Sequence, residues 1–357
     1  MTLIWFNQGY SSVRDALVMI REEAGDDVRL LASHRDLHAP VMHVADDTLI
    51  EPSVSRSKPG GDSAYLDFCL ETCAARGVGL FVAQSGRASL AEHQSSFAAI
   101  GTKLLVPADG ETLKLIDDKA RFYEAALASD IPMPWTREVA DVDKYDAALD
   151  ELEFLGGAAC VKPPQGVFGG GFWKLKPNRR MFETLMNPDS HEISPLVMRN
   201  AITEAPGQRL LVMEYLAGPE WSIDCVCKEG ELIVGVGRRK LGRVQRLEVN
   251  GPIFEIARAA VRAFRLSGLI NVQCKAADVH GNDVRLLEIN SRMSGGCLYT
   301  RYSGVRLPWV HVALELGIMA RADVPVPVGG ALVAPSAEAY QIVEPPAPLI
   351  AERVNYA

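Results

Sequence analysis

Over residues 3–107, short apolar runs alternate with segments of helical period, and that alternation confines the first third of the chain to few folds. Runs at 3–7 (LIWFN), 28–33 (VRLLAS), 42–46 (MHVAD), 78–84 (VGLFVAQ) and 102–107 (TKLLVP) read as strands. Segments 12–23, 64–77 and 88–101 read as helices, the second closed by Gly77 as a C-cap. Gly, Pro and Ser mark 55–63 as a loop. Strands and helices alternating at this spacing predict βαβ units around a parallel sheet. The first turn, FNQGYSS, lacks G-x-G-x-x-G, so a dinucleotide-binding role is not expected there.

From Thr112 the texture changes. Residues 112–130 predict one strong helix, stopped by Pro132 and Pro134. A helix over 142–156 and a strand over 158–163 precede a glycine-rich loop, 164–175, and then a polar helical stretch to about Met198. Strands are expected over 209–216 and 220–240, the latter turning at Glu229-Gly230. A helix over 251–268 and a hairpin over 270–290, turned at 280–283, follow. The tail from Asp323, rich in Val, Pro and Ala, is expected to add edge strands or to wrap the body. At 357 residues the chain exceeds one hydrophobic core, so two or three sub-domains are expected.

Three stretches carry chemistry. Gly166, Gly169, Gly170 and Gly171 leave backbone N–H groups open to phosphate oxygens, and Lys162 would add a point charge. Alone, this loop reads equally as a hairpin tip, because no G-K-[ST] opens a helix. In LLEINSRMSGG (286–296), Glu288 and Asn290 are two apart on one strand face, with Gln273 on the partner strand. A carboxylate and amide oxygens suit Mg²⁺, and Arg292 could grip a phosphoryl group or an anion. The competing reading is an exposed polar face. In 212–224, Glu214, Tyr215 and Leu216 precede a turn and would offer backbone groups to an adenine edge, with Glu220 towards a ribose. The same stretch also describes a surface hairpin with two acids.

Composition narrows the partners. A net charge of −8 weighs against a non-specific nucleic-acid binder. No run of about eighteen apolar residues predicts a membrane span, and the N-terminus does not read as a secretory signal. Seven cysteines without a C-x-x-C pair read as buried thiols of a reducing, cytoplasmic compartment.

Taken in order, 110–300 resembles the ATP-grasp superfamily, particularly its carboxylate–amine ligase and carbamoyl-phosphate-synthase-like branches. The matching stretches are IDDKARFYEAALASDIPMPWT, CVKPPQGVFGGGFWKL, LLVMEYLAGPEWSIDCVCKEGELI and INVQCKAADVHGNDVRLLEINSRMSGG. The resemblance implies an α/β and α+β fold: an N-terminal Rossmann-like βαβ domain (1–110), then a two-lobed ATP-grasp fold with ATP between lobes 111–213 and 214–322, and a tail from 323. It implies that Lys119 and Lys162 contact phosphates under a loop that includes Gly169 and Gly170. Glu214, Tyr215 and Leu216 would hold adenine, and Glu220 ribose. Gln273, Glu288 and Asn290 would organise Mg²⁺, with Mn²⁺ as an alternative ion, and Arg292 would face an acyl phosphate. Arg238 and Lys240 are implied to bind the substrate carboxylate or the γ-phosphate, against a reading as a solvated turn of three cations; the basic run continues at Arg243 and Arg246, which could form an exposed, mobile loop ordered by substrate. Many relatives carry an acid where Gln273 stands. The implied activity is ADP-forming ligation of a small carboxylate to an amine, and many relatives are homodimers. With no biotin-attachment sequence or glutaminase domain, a biotin carboxylase or a full carbamoyl-phosphate synthase is not expected. The alternatives are a small-molecule kinase and a non-catalytic nucleotide-binding regulatory module.

Overall fold

The computed structural model describes residues 1–53, 60–166 and 169–336. Part of the loop expected over 55–63, Val167 and Phe168 of the glycine-rich loop, and the tail beyond 336 lie outside the described residues. The chain divides into two compact units. One holds Met1–Lys114, Ser222–Asn271 and the chain from Asn290 on; the other holds Leu115–Trp221 and Val272–Ile289.

The first unit opens with β1 (Thr2–Phe6), α1 (Ser12–Ala24), β2 (Val28–His34), β3 (Asp47–Ile50), α2 (Gly61–Arg76), β4 (Val78–Val82), α3 (Arg87–Ala91), α4 (Gln94–Ala99), β5 (Lys103–Leu105) and the start of α5 (Gly110–Asp117), whose residues from Leu115 on belong to the second. The five strands form a parallel sheet in the order β3-β2-β1-β4-β5, as the alternation predicts. Such strands are covered on both faces and so read as continuous apolar runs. Ile4 and Phe6 of β1 face one core with Leu17 and Ile20 of α1. Trp5 faces the other, stacked on Phe81 at 4.1 Å and joined by Tyr65, Cys69 and Cys73 of α2.

Two readings of this region change. The third strand lies at Asp47–Ile50, while Pro40–His43 forms a 3-10 turn, because Pro40 fixes a helical φ at its start. The helix expected over 88–101 is two short helices, interrupted around Glu92-His93. Gly77 closes α2 as expected, with φ 64° and its N–H on the Cys73 carbonyl.

The second unit contains α6 (Lys119–Ala128), β6 (Thr136–Val139), α7 (Val142–Phe154), β7 (Ala159–Lys162), β8 (Trp173–Leu175), α8 (Met181–Met186), β9 (Glu192–Ile193), α9 (Pro195–Glu204) and β10 (Leu210–Glu214). Its sheet runs β6-β10-β7-β8-β9, antiparallel except for β8 beside β9. Val161 and Val212 bury against Tyr145 and Ala148 of α7 and Met198 and Ile202 of α9. Cys160, Leu211 and Met213 alternate to the opposite face, where Ala120, Phe172 and Tyr215 lie against them.

The single helix expected over 112–130 is broken between α5 and α6. Asp118 leaves helical geometry and caps α6, accepting from Ala120 and Arg121 N–H, and pairs with Arg209 at 3.2 Å. Burial pushes its carboxyl up, but the Arg121 N–H and the Arg209 guanidinium hold it below the usual range. The polar stretch to Met198 holds two helices with β9 between them.

The chain continues as β11 (Glu220–Lys228), β12 (Glu231–Leu241), β13 (Val244–Glu248), α10 (Pro252–Ala263), β14 (Gly268–Ala276), β15 (Val284–Asn290), α11 (Leu307–Leu316) and β16 (Leu332–Val333). Their sheet order is β15-β14-β11-β12-β13-β16. Glu229 and Gly230, at φ 50° and 84°, make the expected two-residue turn. Arg246 lies on β13, paired with Arg239, instead of in a mobile loop, because Gly242 at φ 68° lets the chain turn back. In the tail, β16 pairs antiparallel with β13 as an expected edge strand.

Candidate functional site

Lys162 ends β7 on the same face as Cys160, opposite the helices α7 and α9. Desolvation pulls its ammonium below the ordinary lysine range; the Glu288 carboxylate opposes that shift and Lys119 adds to it. These three expected residues therefore act on one another. Lys119 also ties itself to the glycine-rich loop: its Nζ donates to the Gly166 carbonyl at 2.9 Å and its N–H to Pro164 O at 2.9 Å. In the loop Gly169 and Gly171 sit at φ 68° and 76°, and a Cβ on Gly171 would press into the Pro163 ring. Gly169, Gly170 and Gly171 are exposed.

The expected adenine edge is partly occupied. Glu214 N–H donates to Trp135 O at 2.8 Å and Tyr215 N–H to Ala158 O at 2.6 Å, because β10 continues its pairing to the strand end. The Glu214 carboxylate accepts from Arg285 and from Trp135 N–H. Leu216 is buried, so of the three it is packing that its side chain supplies. The Tyr215 ring lies between two cations, with Lys174 Nζ 4.0 Å and Lys275 Nζ 5.5 Å from its centroid. Lys275 also pairs with Glu220 at 3.6 Å. Gln273 shares the half-buried face of β14 with Lys275, while Val272, Cys274 and Ala276 point into the core.

In the first unit, Arg238 is 3% exposed, so it does not lie in a solvated turn. It donates to Asp224 Oδ2 (2.9 Å), Ser222 Oγ (2.9 Å), Ser294 Oγ (2.7 Å) and Gln245 Oε1 (2.7 Å). These contacts hold Arg238 in a buried polar network on β12. Lys240, two residues on, is exposed. Arg292 lies 4.4 Å over the Tyr10 ring and lines a narrow cavity at the carboxyl ends of β1, β4 and β5, with Gln84, Ser291 and His311 among apolar walls. Burial lowers the His311 imidazole to about 4.

Solved structures of similar fold decide the architecture. One is the biotin carboxylase domain dimer of the Hydrogenobacter thermophilus 2-oxoglutarate carboxylase with MgADP, ADP and bicarbonate (TM-score 0.63, 14% identity, 93% of this chain and 73% of that one). Another is the Aspergillus clavatus N5-carboxyaminoimidazole synthase with ADP and 5-aminoimidazole ribonucleotide (TM-score 0.62, 16% identity, 92% and 78%). A third is the Thermus thermophilus N5-carboxyaminoimidazole ribonucleotide synthetase (TM-score 0.61, 15% identity, 92% and 81%). The chain has the ATP-grasp fold. A family model described as ATP-grasp in the biosynthetic pathway with Ter operon matches residues 207–339.

Several residues of this chain escape a reading from sequence. Lys174 and Lys275 looked like ordinary strand lysines, though Lys275 stands two residues from Gln273, on one face. Asp224 and Asn271 are wholly buried inside apolar strands, and a polar residue within such a run was the available signal. All seven cysteines are buried thiols, as expected, and burial pushes the Cys73, Cys160 and Cys274 thiols up to about 12. Among the described residues, no helix is long and apolar enough to cross a membrane.

Proposed function

We propose that the chain is an ADP-forming ligase that activates a carboxylate as an acyl phosphate and passes it to an amine. The observation that carries this reading is the convergence of Lys119 and Glu288 on Lys162 beside the glycine-rich loop. A desolvated ammonium with a second lysine nearby is relieved by a polyphosphate, which supplies the charge that Glu288 alone does not. Lys119 and Lys162 would hold the phosphates and Gly169 and Gly170 would close over them. Glu214 to Leu216 would flank adenine, with Glu220 towards the ribose.

Among the described residues no three His, Cys, Asp or Glu side chains gather as a metal cluster. One carboxylate with two amides instead fits an ion that takes its remaining ligands from phosphate and water, as Mg²⁺ does. Glu288, Gln273 and Asn290 would hold it, and it would neutralise charge on the transferred phosphoryl group. Arg292 would receive the acyl phosphate, with exposed Lys240 as a further anion contact. Structures of the same fold hold ADP, and one of them MgADP and bicarbonate, which supports the nucleotide and metal reading.

The deciding experiment is phosphate release from Mg-ATP over a matrix of carboxylates and amines. ADP and free phosphate that appear only when both substrates are present support ligation. ADP formed with a phosphorylated product and no free phosphate would identify a kinase instead, and nucleotide binding without any turnover a regulatory module.

A further inference from the structure

Four neighbouring strands, in the sheet order β15-β14-β11-β12, carry Asn290, Asn271, Asp224 and Arg238. Their side chains form a chain of hydrogen bonds in which each step fixes the polarity of the next. Arg238 Nε donates to Asp224 Oδ2 at 2.9 Å. The other carboxylate oxygen, Oδ1, can only accept, and it takes Asn271 Nδ2 at 3.1 Å. Ser222 Oγ, held by an Arg238 Nη2 donor, also receives Asn271 Nδ2, at 2.9 Å. Because Asp224 Oδ1 fixes the place of its NH₂, Asn271 is left with Oδ1 as an acceptor, which takes Ser222 Oγ at 3.3 Å and, from β15, Asn290 Nδ2 at 3.4 Å. An amide that presents its NH₂ to one side presents its oxygen to the other.

We infer that Asn271, anchored by the buried Asp224–Arg238 pair, is a positioning residue that sets the amide orientation of Asn290 so that its oxygen faces the divalent cation. This rests on the proposed reading of Asn290 as a cation ligand. Asp224 and Asn271 are fully buried and Arg238 nearly so, and the low dielectric makes reversing any one donor in the chain unfavourable. Asn290 thus reaches the cation with its amide already oriented, with no flip between two nearly isosteric states. Arg238 anchors this chain at Asp224 and is tied to the LLEINSRMSGG segment through Ser294 as well.

The test is a double-mutant cycle on the full chain, read by Mn²⁺ binding to the ADP complex by electron paramagnetic resonance, with ADP affinity in EDTA and thermal unfolding measured alongside. Asn271→Ala is expected to weaken ADP-dependent Mn²⁺ binding about tenfold or more and to leave ADP affinity in EDTA unchanged. Asn290→Asp presents an oxygen whichever way it turns. In that background, adding Asn271→Ala should therefore leave Mn²⁺ binding unaltered. Should Asn271→Ala not fold, Asn271→Ser enters the same cycle with the same expectations. Mn²⁺ binding by the Asn271 variant equal to wild type overturns the inference, as does a double variant as weak as the single one. Wild-type protein that binds no Mn²⁺ with ADP present would sink the reading of the metal site itself, and the inference with it.

Discussion

Lys162 shows how much a single residue concentrates here. Its desolvation works against Lys162 in its charged form, so Lys162→Met is expected to lose nucleotide affinity tenfold or more while unfolding no earlier than wild type. ADP titration and thermal unfolding of the same preparation separate the two effects. Glu288→Ala should abolish turnover, by more than about a hundredfold, with the fold intact; full activity in that variant would remove Glu288 from the site. Asp224 is different in kind. Removing it strands the Arg238 guanidinium in the core, and Asp224→Ala should lower stability by about 3–5 kcal/mol in denaturant titrations. Glu288, Asn290 and Lys162 were legible as candidates because a polar residue inside an apolar strand invites explanation. The burial of Arg238 was not, since Arg238-Arg239-Lys240 reads as three equivalent cations, and what sets Arg238 apart is its contacts to Asp224, Ser222, Gln245 and Ser294.

At the scale of elements, local chemistry and tertiary contact divide the credit. The α2 stop at Gly77, the Glu229-Gly230 turn and the α7 cap at Asp141 follow from side chains and φ preferences that act within a few residues. The break between α5 and α6 does not. Residues 112–130 are helical in period throughout, yet Asp118 caps α6 through the Ala120 and Arg121 N–H groups, with Arg209, far along the chain, paired to its carboxylate. Asp118→Ala is therefore expected to cost about 1 kcal/mol or somewhat more in stability. Its effect on nucleotide affinity should be visible by calorimetry, because the next residue, Lys119, anchors the glycine-rich loop. Normal affinity would separate the cap from the loop.

Over the whole molecule, buried titratable groups set the response to pH. His311 titrates near 4 in the folded chain and near its ordinary 6.5 when unfolded. Between those values the unfolded chain binds more protons, so stability is complete above about 6.5 and is lost as pH falls towards 4, on the order of 3 kcal/mol in all. Denaturation midpoints of wild type and His311→Gln from pH 4 to 7 check this; the variant should show a flatter acid limb. The parallel sheet, the antiparallel hairpins and the order of the candidate motifs were determined by the sequence alone, because periodicity, turn residues and glycine positions act locally. Tertiary structure decided which polar residues became a network, which amide points which way, and which lysines flank Tyr215. Those outcomes depend on strands brought together from distant parts of the chain and on burial. The segment around Glu288 and Asn290 is where both kinds of information meet: its residues suggest an ion site by type and spacing, and only the fold brings Asn271 and Asp224, distant in sequence, into one hydrogen-bonded chain with Asn290.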